Sequence, residues 1–188
     1  MELVSAGSLA VIFVIWIRSF ARKGGGLYLL LIPVVILAVI LGYTTYQQFL
    51  IWKSHEISRF LLPPHAPINY FIFYTFTRIW LAYVISLIVG ILGYLVIGYF
   101  NRKYQEKFFW PEEIYFIALG LFLTGHPGWI LYTVFSLAVY LALGIGYWIL
   151  KKETQRVSFY YLWLPLAAAT IFLNFWLLQF EWYTQLII

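Results

Sequence analysis

The 188-residue chain has the length of one domain, yet 64% of it is hydrophobic and only 10% charged, too little polar surface for a water-soluble fold. That composition marks an integral membrane protein and excludes soluble enzymes, nucleic-acid binders and disordered tails. The net charge of +5 is a topology signal, because basic residues favour the cytoplasmic ends of spans, and with no Cys there is no disulfide or thiolate chemistry.

The first apolar run, 3–17, ends in Arg18, Arg22 and Lys23. Its basic residues follow the apolar stretch, and no small-residue cleavage signal closes it. It reads as a short retained span and not as a signal peptide. Gly24-Gly25-Gly26 breaks the chain, and 27–50 forms a second span carrying Pro33. The polar stretch 52–59 and the prolines at 63, 64 and 67 predict a loop.

The next largely apolar stretch, 68–100, is 33 residues, too long for one upright span. Arg78 lies about a third of the way along it, and an Arg at mid-bilayer costs roughly 2.5–3.5 kcal/mol on insertion scales. The stretch is either a tight hairpin turning near Arg78 or an interfacial segment leading into one span at 79–100. A basic loop at 101–110 follows, then a short span at 114–124 preceded by Glu112 and Glu113. After the Gly125-His126-Pro127-Gly128 turn come a full span at 129–150, a basic loop at 151–157 and a last span at 159–180 containing Pro165. The expected fold is a single all-α polytopic bundle over 1–188 with about six transmembrane helices.

Loops 101–110 and 151–157 carry three Lys/Arg each and the 125–128 turn carries none, which places both basic loops in the cytoplasm. The first half is ambiguous. A single span at 68–100 puts loop 52–67 outside, whereas a hairpin turns that loop to the cytoplasm.

The chain contains seven Glu and no Asp. Glu56 follows a span, and Glu112-Glu113 opens one directly after Pro111, where a helix N-terminus favours negative charge. The simplest reading of Glu112 and Glu113 is a first helical turn. His126 reads as a polar turn residue, and His55-Glu56 with His65 does not match a zinc spacing, so no metal is expected. No glycine-rich phosphate loop or Gly-x-Ser-x-Gly appears, and no cofactor is expected.

At these acids the sequence resembles the membrane aspartic peptidases that process type IV prepilins, the GxGD peptidases. The strongest stretch reads Glu112-Glu113-Ile114, then Gly120-Leu121-Phe122-Leu123-Thr124-Gly125-His126-Pro127, a long apolar span, Lys151-Lys152 and Leu164-Pro165-Leu166-Ala167. The family's first acid stands seven residues before a proline, as Glu56 does before Pro63. The resemblance covers about 27–180, more loosely before residue 100. It implies Glu56 and Glu112 or Glu113 as a catalytic pair on the cytoplasmic face, cutting leader peptides of pilin-like single-span membrane proteins in a prokaryotic inner membrane.

In such a pair one ionised carboxylate takes a proton from water while the other, protonated, polarises the scissile carbonyl. This chain departs from the family pattern in two respects. Both acids are Glu, and Phe109-Trp110-Pro111 stands where the family has glycines. The longer side chain displaces the carboxyl by about 1.5 Å, and a shift of about 1 Å can cost on the order of 100-fold. The resemblance therefore implies the family fold with impaired or no peptidase activity. The alternatives are a non-catalytic membrane binding or assembly module and a small transporter-type subunit.

Overall fold

The computed structural model describes residues 2–21, 28–151 and 159–185. Among these, every regular element is helical and none is a strand. Helix α1 (Glu2–Ala21) is followed by α2 (Tyr28–Ser54) and a 3-10 turn at Ser58–Leu61. Helix α3 (Asn69–Thr75) continues through a π-helical turn at Phe76–Trp80 into α4 (Leu81–Lys103). Then come α5 (Pro111–Leu123), α6 (Gly128–Lys151), α7 (Trp163–Leu177) and the short α8 (Glu181–Thr184). Three helical stretches, Leu30–Ser54, Asn69–Lys103 and Gly128–Tyr147, are long and apolar enough to cross a membrane, and Val4–Arg18 and Trp163–Leu177 are shorter apolar helices. The triple glycine and the basic residues Arg22, Lys23, Lys152 and Arg156 lie outside the described residues.

The architecture is built around α5. A helix apolar on all sides must be buried, and ten of the 13 residues of α5 are. Helices α4, α6 and α7 surround it, with α2 completing the ring. The closest approach is to α4: a Cβ on Gly90 would stand 2.9 Å from the Ala118 carbonyl oxygen, so only glycine lets the two backbones meet there. Pro111 occupies the first helical position, where its missing N–H costs nothing. The other end is closed by Gly125 at φ 68, a left-handed residue past the helix end, and then by Pro127. At about 1.5 Å per residue α5 rises only about 20 Å, less than the roughly 30 Å hydrocarbon core. Both of its ends therefore have to be satisfied by protein.

The stretch 69–103 is one continuous helix, not a hairpin. Nothing in it breaks a helix near Arg78, since its first glycine is Gly90 and it holds no proline. The irregularity is absorbed within the helix instead. The Thr75 hydroxyl, just before the π turn, and the Thr77 hydroxyl, inside it, donate back to the Phe71 and Phe73 carbonyls, both at 2.9 Å. Trp80 anchors the turn to α2 by donating its indole N–H to Thr45 Oγ1 at 3.0 Å.

Beyond this level α2 and α3 continue together as an arm with its own small core of Trp52, Leu62 and Phe71. Trp52 stacks edge-on to Phe71 at 5.3 Å and against Tyr74 at 4.9 Å. The opposite end of the bundle is basic. Arg18 lies beside Pro33 near the start of α2, and Trp16 donates to the Tyr161 carbonyl ahead of α7 at 3.0 Å. Arg102, Lys103 and Lys107 are exposed at the same end.

The α4–α5 contact generates a stability test. Gly90→Ala should destabilise the protein by about 1–3 kcal/mol, because its methyl meets a backbone carbonyl that cannot yield. Gly98→Ala, where a Cβ meets nothing within 4 Å, should be neutral or slightly stabilising through helix propensity. Thermal unfolding of both variants in one detergent compares them directly. Equal effects would contradict the packing described.

Candidate functional site

At the basic end, α4 and α5 are joined by a loop that one side chain organises. Asn101, buried on the last turns of α4, donates from Nδ2 to the Phe109 carbonyl at 2.8 Å. Its Oδ1 accepts from the Phe108 and Phe109 N–H groups at 3.3 and 3.0 Å. Phe109 is thereby turned inward, with its ring 5.9 Å from both Tyr140 and Trp163. Trp110 is extended and delivers the chain into α5.

Glu113 then reaches back. Its Oε2 accepts the Trp110 N–H at 3.2 Å, which is the carboxylate half of a capping box. Its Oε1 accepts the Phe159 N–H at 2.9 Å, across 46 residues of chain and ahead of α7. The residue is 1% exposed. Both oxygens are thus committed to backbone donors in a site closed to solvent. The arrangement suits a structural clamp between the start of α5 and the segment ahead of α7. Glu112, one position earlier, is half-buried and makes no hydrogen bond among the described residues.

Glu56 is elsewhere. It lies exposed after the C-terminal end of α2, in the loop that closes the arm, and has no hydrogen bond or ion pair among the described residues. Trp52, one turn earlier, packs on Phe71, whereas Pro111 shares a groove with Gly98. From Phe71 to Gly98 the continuous helix rises roughly 40 Å at about 1.5 Å per residue. The expected convergence of Glu56 with Glu112 or Glu113 is therefore not formed: the acids stand at opposite ends of the bundle. The physical cause is the unbroken 69–103 helix, since only a hairpin there returns Glu56 to the basic end. His55 Nδ1 accepts from the Ile57 and Ser58 N–H groups at 3.3 and 3.4 Å, and the His65 ring lies 5.0 Å from Phe60. Among the described residues no group of His and Glu gathers as metal ligands.

Among the concave regions that flank α5, two lie at its ends. At its basic end a groove of about 700 Å³ runs between α4 and α5 and includes Tyr94, Tyr99, Arg102, Pro111 and Tyr115. Tyr94 and Tyr115 stack at 5.2 Å. At the other end, under the α5–α6 turn, is a cavity of about 90 Å³ whose polar lining includes Thr77, Arg78, Tyr83, Thr124, His126 and Asn174. The Tyr183 hydroxyl on α8 donates to Asn174 Oδ1 and holds that amide in place, and burial pushes the Tyr183 phenol up to about 12. His126 Nδ1 accepts the Trp129 indole N–H at 3.2 Å. In the neutral ring that leaves Nε2 as the protonated nitrogen. Arg78 and His126 line the same cavity, a juxtaposition that no local sequence pattern announces, although an Arg inside an apolar run is itself a signal.

Comparison with family models, with curated proteins and with solved structures finds no match.

The clamp at Glu113 is testable through stability. Glu113→Gln keeps the shape but sets an amide N–H₂ against a backbone donor, and should cost about 1–3 kcal/mol. Glu112→Gln should stay within about 0.5 kcal/mol of the parent. Denaturant or thermal unfolding separates the two. A Glu113→Gln protein as stable as Glu112→Gln would dispose of the clamp.

Proposed function

We propose that this chain is a non-cleaving integral membrane module of six spans (α1, α2, α3–α4, α5, α6 and α7), which holds a pilin-like single-span partner without cutting it. The observation that carries this reading is the placement of the acids. Glu113 is committed to the Trp110 and Phe159 N–H groups, and Glu56 stands at the opposite end. A two-carboxylate mechanism requires one shared proton between neighbours a few ångströms apart. The resemblance over α5 to α7 supports the plan of the prepilin peptidases, and the departures from their glycines and aspartates agree with a module that has kept the plan and not the chemistry. By the positive-inside rule the end bearing Arg18, Arg102, Lys103 and Lys107 faces the cytoplasm, in the inner membrane of a prokaryote if the resemblance holds. The groove between α4 and α5 opens at that end, and its tyrosines with Arg102 suit the juxtamembrane segment of a partner helix.

A reconstituted assay tests this. The purified protein is mixed in liposomes with a single-span precursor carrying a pilin-type leader. No mature product is expected, and a photo-crosslinking residue replacing Tyr99, which is 63% exposed, should capture the intact precursor. Leader cleavage that disappears in Glu56→Gln or Glu113→Gln would restore the peptidase reading, and absence of any crosslink would remove the partner.

A further inference from the structure

Further along the seam between α4 and α5, past the groove at the basic end, lies an apolar slot of about 180 Å³ that α2 walls on one side. Tyr94 lines both groove and slot. On α4 the lining residues Leu87, Ile91, Tyr94, Gly98 and Arg102 recur at steps of three and four. On α5 Pro111, Tyr115, Ala118 and Phe122 do the same, so each set is one helical face and the two concavities follow one line. Glycines keep that line open. Gly90, where the two backbones meet, has no side chain to fill the slot, and a Cβ on Gly98 would meet nothing within 4 Å.

The two ends of the line differ in chemistry. At the rim Arg102 and Lys103 are exposed, and their side chains make no hydrogen bond or salt bridge among the described residues. Glu106 opposes them there, with Lys107 next to it. Where groove gives way to slot, the Tyr94 hydroxyl donates to the Tyr115 hydroxyl at 3.4 Å, a pairing of rings and hydroxyls suited to the membrane interface. From Arg102 to Leu87 the helix rises roughly 22 Å at about 1.5 Å per residue. One leaflet with its headgroup layer is about as thick, half of a bilayer of roughly 40–45 Å. The slot is too narrow for a helix, whose diameter is about 10 Å, and it offers no partner to the backbone groups of an extended peptide. A hydrocarbon chain has no such groups. An apolar cavity of about 150 Å³ accepts benzene, so the slot takes several methylenes.

We propose that the α4–α5 seam binds an anionic phospholipid of the cytoplasmic leaflet, with its phosphate at Arg102 and Lys103 and one acyl chain in the slot beside Gly90. Two cations against Glu106 suit a headgroup of net negative charge, whereas a zwitterionic headgroup brings a cation of its own to the rim. A partner segment docked at Tyr99 would share Arg102 with the headgroup, but the slot serves the lipid alone. Neither the slot nor the charge at the rim requires a partner, and the test is run without one.

Delipidated protein in a neutral detergent is titrated with dioleoyl-phosphatidylglycerol, dioleoyl-phosphatidylcholine or glycerol 3-phosphate, and bound adducts are counted by native mass spectrometry. One phosphatidylglycerol should be retained, with apparent affinity about tenfold above that of phosphatidylcholine, because each cation near a membrane surface contributes roughly fivefold and Glu106 subtracts from the pair. Glycerol 3-phosphate, which has the charge and no chain, should not be retained. Arg102→Gln combined with Lys103→Gln should level the two lipids. Arg59→Gln, exposed in the arm at the other end, should keep the parent's preference. Gly98→Phe, which fills the groove, should weaken retention of both lipids, and if it does not fold, Ile91→Trp covers the slot in its place. Equal retention of the two lipids by the parent, or a preference that survives the double variant, overturns the headgroup site. Retention of glycerol 3-phosphate as tight as that of the lipid, or undiminished retention in the filled variants, overturns the slot.

Discussion

The structure depends on burying a helix that is too short to cross a bilayer by itself. Helix α5 is apolar on nearly every side, so its neighbours remove it from lipid, and the N–H and C=O groups at its ends need partners. Each end needs its own solution. At the basic end Pro111 removes one donor and the Glu113 carboxylate satisfies another. At the far end Gly125 turns the chain, and the Thr124 hydroxyl donates back to the Gly120 carbonyl at 2.9 Å. Because Glu113 also accepts the Phe159 N–H, sealing one helix end fastens a second helix to it. An apolar helix whose end is left unsealed in this setting would carry a penalty of several kcal/mol per orphaned group.

This explains why the residues around the clamp are large. Phe109, Tyr140, Phe159 and Trp163 form a continuous set of ring contacts between 4.8 and 5.9 Å over the α5 start. Glycines at 109–111 would leave that volume empty, and an Asp at 113 would be one methylene short of spanning from Trp110 to Phe159. Glutamate and aromatics are therefore a matched set here: the longer acid reaches both backbone donors, and the rings exclude the water that would compete for it. The far end has the opposite character, with a polar cavity, a cation and an arm of α2 and α3 standing past it.

Much of the helical plan was legible in the sequence, because hydrophobic length is a strong signal. The second span, expected at 27–50, is α2 at Tyr28–Ser54, and the expected 129–150 is α6 at Gly128–Lys151. Pro111 and the Gly125–Gly128 turn bracketed α5 within a few residues. The site was less legible, for a physical reason. Whether 68–100 folds back on itself depends on whether the helix can absorb Arg78, and a π turn is not encoded by hydropathy. Once that segment is continuous, the seven-residue spacing from Glu56 to Pro63 loses its bearing on Glu113, because the two are set apart by the length of a helix. Glu113 itself looked like a first-turn residue and is one, but its second partner, Phe159, is 46 residues away in sequence and no local pattern points to it.

The central claim is that the acids at 56 and 112–113 occupy opposite ends of one bundle, which a distance measurement tests most directly. The chain has no Cys, so Cys introduced at 56 and at 112 can carry spin labels without background. Pulsed electron–electron resonance on the doubly labelled protein in liposomes should give a single distance on the order of 40 Å, the rise of the continuous helix between those levels. A distribution centred below about 15 Å would mean that 69–103 folds back and brings the two carboxylates together, and would contradict the account.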